Sequence, residues 1–524
     1  MPEFSLLDDA WIDVIDGAGR PDTVSMSDLF SRAHELKDID TELPTQRVAL
    51  LRVILACAHR AFRVENDDVW ESLWNAGHFP AADFDAYAGA VHDRFELFGQ
   101  TPFFQVADLR SPKTDLSKML SHAPPGLRPA FTRANGAALK VMTPAEAAVW
   151  LIHSQAYDVA GIHSPAAGDP EVKNGKTYGA TLGWCGYLLS VLADGANVFE
   201  TIMFNLVPSA IPGDVPAWER EPDTYAYPDR EPTGPLDLLT WQGRRMRLLA
   251  DGAGQVTGVV MCKGTRIHPQ NMHRLEMHSA WRFSKPQSDK AKSTVHMPAM
   301  VDPSRAAWRL VDQLLLTGEN DRPKPGVIEH LGDLTERLLD ENRMIWVRTV
   351  GMVYGQQSAV VDEVVSDQII VPLAAMHRRD LAALIESGVS ELDAAAYRIG
   401  LFGANLAEAC GLPPAEHDDP NAPLKVFQAN AFTVLDPIVR RWLASLSSAT
   451  EVASAREELQ AQAYSALLRL LDDHLTLAPP SAWHAKHPND PASMTAGVAY
   501  RIARAGLHRV LVRPSHTATN REST

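Results

Sequence analysis

The chain is poor in cysteine, has no long apolar run and carries no local signature of catalysis. Its four cysteines, Cys57, Cys185, Cys262 and Cys410, stand far apart in 524 residues. None belongs to a C-x-x-C pair, so neither a zinc site nor a disulfide framework is indicated, and this usage suits a reducing cytoplasm. No apolar stretch approaches the ~20 residues that a membrane-spanning helix needs. Met1 to Asp13 shows no basic segment followed by an apolar one, so no signal peptide is expected. Gly252-Ala253-Gly254 misses the dinucleotide-binding fingerprint, because Thr257 stands where its third glycine belongs. The loop from Asp158 to Gly183 holds Lys173 and Lys176 among several glycines, but not with the spacing of a phosphate-binding loop. Neither G-x-S-x-G nor H-E-x-x-H occurs. His268, His273 and His278 recur every five residues, which places them on no common helix or strand face. The expectation is a protein that is not an enzyme and holds no metal or cofactor.

What is present is an ordinary globular composition, with 45% hydrophobic and 22% charged residues. The length allows two to four domains. A net charge of −16 argues against independent, charge-driven binding of nucleic acid. The charge is uneven, however. Asp108 to Lys140 carries six basic residues against two acids, and Lys263 to Lys292 carries seven against two. Much of the acid lies elsewhere, as in Asp214 to Glu231. Such a chain could hold nucleic acid locally while a partner neutralises most of the phosphate.

Along the chain, Phe4 to Val14 reads as a turn and a short strand, with a hairpin turn from Asp16 to Gly19. Ser25 to Leu36, Pro44 to Phe62 and Trp70 to Phe98 read as helices, the last interrupted at Gly77 and Pro80. Thr143-Pro144-Ala145-Glu146 looks like the start of a helix that runs to Ala156. Leu238 to Gln242 and Gly258 to Met261 read as strands joined through the basic run Arg244 to Arg247. Trp281 to Phe283 reads as a strand entering a polar tip from Ser284 to Lys290, and Pro303 to Leu316 as a helix. From about Pro372, β-branched runs give way to Ala, Leu, Arg and Glu. Four long helices are expected there: Pro372 to Ala409, Pro423 to Leu446, Thr450 to Leu477 and Ser493 to Leu511. Joined by short loops, they predict an antiparallel four-helix bundle. The fold class is α+β: a large mixed α/β N-terminal domain over residues 1–368, the bundle over 369–513, and a disordered tail over 514–524.

One stretch invites a functional reading. Ile345 to Val353 is apolar and β-branched and leads into Tyr354-Gly355-Gln356-Gln357-Ser358. That is a strand ending in a tight turn which presents two amides. An uncharged amide both donates and accepts, so it can read or wedge base edges where a phosphate clamp uses Lys or Arg. Taken alone, such a turn is more often plain surface.

Several short segments, in order along nearly the whole chain, resemble the large subunit (CasA) of the type I-E CRISPR Cascade surveillance complex. They are Leu6 to Ile12, Leu50-Leu51-Arg52, Pro102-Phe103-Phe104-Gln105, Leu239-Thr240-Trp241-Gln242, Tyr354 to Ser358, and the C-terminal bundle. The resemblance implies a non-catalytic, cytoplasmic recognition subunit that works with other Cascade subunits and the CRISPR RNA 5′ handle. It implies reading of the protospacer-adjacent motif in target double-stranded DNA, opening of the duplex, and a platform for a helicase-nuclease. It maps a glutamine wedge onto Gln356 and Gln357, and a glycine loop onto Ala160 and Gly161. A lysine finger maps onto Lys285, with Lys290 and Lys292 as alternatives. Contacts to the guide-RNA handle map onto Phe131, Arg133 and Asn135. Some relatives carry a cysteine cluster near the place of Cys262; here Cys262 is alone, and no zinc is expected. The competing expectation is a helical-bundle interaction scaffold that does not read DNA.

Overall fold

The computed structural model describes residues 2–120, 141–315, 323–411, 419, 421–484 and 493–512. They divide into two compact units. The first is Met1–Arg305, Thr317–Leu334 and Ile345–Gln368; the second is Ala306–Leu316, Thr335–Met344 and Ile369–Thr524.

In the first unit, β1 (Ile12–Asp16) and β2 (Pro21–Val24) form the expected hairpin. The Asp16 carboxylate closes its turn by accepting the Ala18 and Arg20 amides at 2.9 and 2.8 Å. Ser25 caps α1 (Met26–Arg32), accepting the Asp28 amide at 3.0 Å. That helix stops short of Leu36. Instead β3 (Leu36–Ile39) pairs with the second edge of β1, a tertiary pairing that overrides local helix preference.

The buried spine is α2 (Pro44–Phe62), followed by α3 (Asp67–Ala76), α4 (Ala81–Val91) and α5 (Pro144–Tyr157). Gly77 ends α3 in the left-handed region at φ 71°. Thr143 and Glu146 form a reciprocal capping box at the start of α5. Nearly every residue of α2 is buried, and it packs on α4 and α5. Phe30, Phe62, Phe79 and Phe84 interlock beside it, with ring centroids 4.4–6.4 Å apart.

The remaining elements of this unit surround that spine. The ribbon β4 (Gly161–His163) and β5 (Thr177–Ala180) precedes β6 (Ser190–Asp194), α6 (Val198–Asn205) and α7 (Pro235–Leu239). The last of these corrects the strand expected over Leu238 to Gln242. Pro235 starts a helical turn there, and the distant Asp214 carboxylate caps it by accepting the Leu236 and Asp237 amides at 2.8 and 3.0 Å. The basic run expected as a connection is likewise a strand: β7 (Arg244–Ala250) pairs along its length with β8 (Val256–Lys263). Next come β9 (Trp281–Phe283), α8 (Lys285–Ala291) and β10 (His296–Pro298), so the expected polar tip is a short helix spanned by a β-pair. Within the expected helix Pro303 to Leu316, the described α-helical part is only α9 (Val311–Leu314), which lies in the second unit. After α10 (Gly326–Thr335), the long strands β11 (Met344–Tyr354) and β12 (Val361–Pro372) complete a three-stranded sheet in the order β12-β11-β6.

The second unit holds α11 (Ala374–His377), α12 (Arg379–Cys410), α13 (Ala422–Ser445), α14 (Val452–Thr476) and α15 (Ala496–Leu511). The last three lie almost where the sequence put them. The first long helix starts later than expected, because Pro372 still belongs to β12 and Arg378 is extended at φ −78°, ψ 110°. Gly411 closes α12 in the left-handed region at φ 75°. Small residues let α12 approach its neighbours. A Cβ on Gly388 would lie 2.9 Å from Leu459, and one on Gly403 would lie 2.4 Å from the Phe427 ring. No described helix is long and apolar enough to cross a membrane.

Candidate nucleic-acid interface

The two glutamines sit where β11 turns into β12. Register fixes the approach: β11 is the central strand, pairing with β6 from Trp346 opposite Asp194 to Val350 opposite Ser190. The Arg348 guanidinium reaches back to the Asp194 carboxylate at 2.7 Å, and Arg47 on α2 reaches the same carboxylate at 3.0 Å. At the strand's end, the Tyr354 hydroxyl donates to the Tyr157 carbonyl at the end of α5, at 2.6 Å. Tyr354 packs so closely over Gly186 that a Cβ there would meet its oxygen at 2.6 Å. The Asp362 carboxylate folds over Gly355, where a Cβ would lie 2.5 Å from it and push that exposed side chain aside. Beyond it, Gln357 and Ser358 both take left-handed backbone at φ 55°. Both glutamine side chains are exposed, and neither forms a side-chain hydrogen bond among the described residues. Two uncommitted amides therefore project from a turn whose flanks are anchored.

The predicted glycine loop lies against this turn. The Ala160 amide donates to the Ser358 carbonyl at 2.9 Å. Gly161 has φ 127°, a conformation that disfavours side chains, and a Cβ there would meet nothing within 4 Å. What holds the loop is Arg244, only 1% exposed. Its guanidinium pairs with the Asp158 carboxylate and donates to the Val159 and Thr181 carbonyls, each at 2.7 Å. Gln155 ties the same place to α5, with its amide oxygen accepting the Arg244 amide at 3.0 Å. His163 sits 3.6 Å from Asp158; burial, followed by the neighbouring Arg244 charge, pushes its pKa down to about 4. The imidazole is thus neutral at pH 7. A buried arginine thus holds the backbone just before Ala160 and, across the ribbon, at Thr181.

Comparison with known proteins meets this geometry. The family described as CRISPR-associated protein Cse1 matches residues 5–470. The chain belongs to the Cse1 family. A curated relative, CRISPR-associated protein CasA/Cse1 of Thermus thermophilus, is 30% identical over 384 residues, covering 69% of this chain and 70% of that protein. The crystal structure of Thermobifida fusca Cse1 superposes with a TM-score of 0.89 at 33% identity, covering 98% of this chain and 99% of that one. A chain of a structure described as a CRISPR RNA-guided surveillance complex shares the fold, with a TM-score of 0.76 at 17% identity over 97% of this chain and 100% of that one. Cse1, or CasA, is the large subunit of type I-E Cascade that the sequence resembles.

The remaining mapped residues lie apart from this turn or outside the described residues. Lys285 opens α8 rather than an extended finger, and its ammonium lies 3.2 Å from Asp289 in an exposed pair. Among the described residues no hydrogen bond or ion pair joins it to the glutamine turn. Lys290 is exposed in the same helix, and Lys292 ends it in the left-handed region at φ 54°. Phe131, Arg133 and Asn135 lie outside the described residues. Sequence reading missed Arg244, Asp158, Tyr354 and Asp194 as organisers of the site. Two adjacent arginines opening an apolar strand were the one available signal for Arg244. Cys57, Cys185 and Cys262 are buried and free, and burial pushes the Cys262 thiol up to about 11.

Proposed function

We propose that this Cse1-family chain, as the large subunit of Cascade, recognises the protospacer-adjacent motif in target double-stranded DNA. In this reading Gln357, with Gln356, wedges beneath the motif from the minor groove, while the Ala160–Gly161 backbone lies along the groove floor. Unstacking one base step costs a few kcal/mol, offset by contacts to the bent duplex. The observation that carries the reading is the hydrogen bond from Ala160 to Ser358, which couples the glycine loop to the glutamine turn. The guide RNA then reads the rest of the target by pairing. Lys285, with Lys290 and Lys292 nearby, is the finger that approaches the motif. Phe131, Arg133 and Asn135 contact the RNA 5′ handle, the Phe ring by stacking. The role is non-catalytic and cytoplasmic, with the bundle over residues 369–513 meeting other subunits and the helicase-nuclease. The test is binding of reconstituted Cascade to target duplexes that differ only in the flanking motif. Gln357→Ala should reduce motif-dependent duplex opening about five- to 150-fold, since loss of one good base contact is worth about 1 to 3 kcal/mol. Unchanged motif preference would leave the chain a scaffold.

A further inference from the structure

The ribbon that starts at Gly161 carries an unused feature at its far end. Lys173-Asn174-Gly175-Lys176 is a two-residue hairpin turn, with Asn174 at φ 52° and Gly175 at φ 69°, the left-handed pair that an Asn-Gly type I′ turn requires. Lys173 and Lys176 are directly opposed. Each donates its amide to the other's carbonyl, at 2.9 and 3.1 Å. Both are exposed, and neither ammonium has a partner among the described residues. Like charges directly opposed across a strand pair destabilise it. The nearby acids do not relieve them. Glu171 is paired with the buried Lys263. Asp169 accepts from Thr177 at 2.6 Å and from Tyr227 at 2.7 Å. The base of the ribbon is firmly seated. Arg110 accepts the Ala167 amide at 2.8 Å, and Ala166 is buried with Val260 and Cys262. Two unneutralised cations are thus exposed side by side at the tip of a tight turn on an acidic chain.

We propose that Lys173 and Lys176 clamp the phosphate backbone of the duplex that flanks the recognised motif. At ~3.3 Å per strand residue, the tip lies about 13 Å along the ribbon from Ala180, the partner of Gly161. That reach spans about four base-pair steps at 3.4 Å each. The glycine loop and the lysine tip would then touch one duplex at two places, the first reading and the second only gripping. The inference rests on the motif-reading proposal for the location of the DNA.

The test uses reconstituted Cascade containing the full chain, with dissociation constants measured across salt and across flanking motifs. Lys173→Ala with Lys176→Ala should weaken every duplex alike and lower the log–log salt slope by about 2, since each phosphate contact contributes about 0.9. Between 50 and 200 mM salt the wild-type affinity should therefore fall about tenfold more than the variant's. Lys173→Arg with Lys176→Arg should restore the slope. An unchanged slope overturns the clamp, even with motif preference intact. A lowered slope alongside motif preference that ignores Gln357→Ala upholds the clamp and defeats the motif reading instead. A duplex cut back to the motif should erase the difference between wild type and variant; if the difference persists, the contact is not to flanking duplex.

Discussion

In the first compact unit, the largest fully buried side chains include Arg244 and Arg245 alongside tryptophans and phenylalanines. In the second, the buried positions of α12 are Leu, Ile, Val, Ala, Phe and Gly. Buried arginines require partners, and these come from far along the chain: Arg52 meets Glu276 at 2.9 Å, Arg47 meets Asp194, and Arg244 meets Asp158. Close-packed small residues require only that the neighbouring helix be shaped to fit. One unit is specified by pairings, the other by periodicity. The candidate interface lies in the first, where directional bonds hold backbone that no regular element would hold.

The contrast is sharpest at Arg244. Arg244→Ala should leave Asp158 buried without its partner and cost about 3 to 5 kcal/mol, the usual penalty for breaking a buried ion pair from one side. Denaturant unfolding measures this. A loss below about 1 kcal/mol would mean that water reaches Asp158 and the loop is not held as described.

Acid probes the same unit. Burial pushes His59 and His163 down to about 4, against about 6.5 when unfolded. The unfolded chain therefore binds protons first as pH falls. The stability these neutral imidazoles confer is fully present above pH 6.5 and is lost as pH drops toward 4, by on the order of 3 kcal/mol for each histidine. Stability measured from pH 7 to 4.5 should decline, and replacing His163 with Asn should flatten part of the decline. An equal decline in that variant would assign the effect elsewhere.

The smallest effect is expected in the bundle. Gly403→Ala gains up to about 1 kcal/mol of helix propensity but drives a methyl into Phe427. The net should be a loss of about 1 to 2 kcal/mol, and shortening Phe427 to Leu in the same chain should recover it. A stabilised single variant would show that α12 and α13 pack more loosely than described.

These regions also differ in how far the sequence disclosed them. The bundle helices α13, α14 and α15 were legible because their signals are local: Ala, Leu, Arg and Glu runs bounded by short breaks. The glutamine turn was legible for the same reason, as a β-branched run ending at a glycine. The strand of Arg244 and Arg245 read as a link because its meaning lies 86 residues away, in Asp158. Leu238 and Leu239, at the end of the helix Pro235–Leu239, read as strand because the helix's cap, Asp214, precedes it by a loop. Leu36 read as the end of a helix, and the strand it opens went unread, because the open edge of β1 is invisible in composition. The coupling of Ala160 to Ser358 joins two segments that share no sequence signal at all.

The strand that returns from the glutamine turn bears on what can add to its sheet. In the order β12-β11-β6, β12 is an edge, twelve residues long. Long free edges recruit other chains and seed aggregates. This one carries Asp362, Glu363 and Asp367 and ends on Pro372, so a second copy would bring acid against acid and then lack an amide to donate. Negative charge is thus built into that strand, and a chain adding to its edge would need to arrive basic.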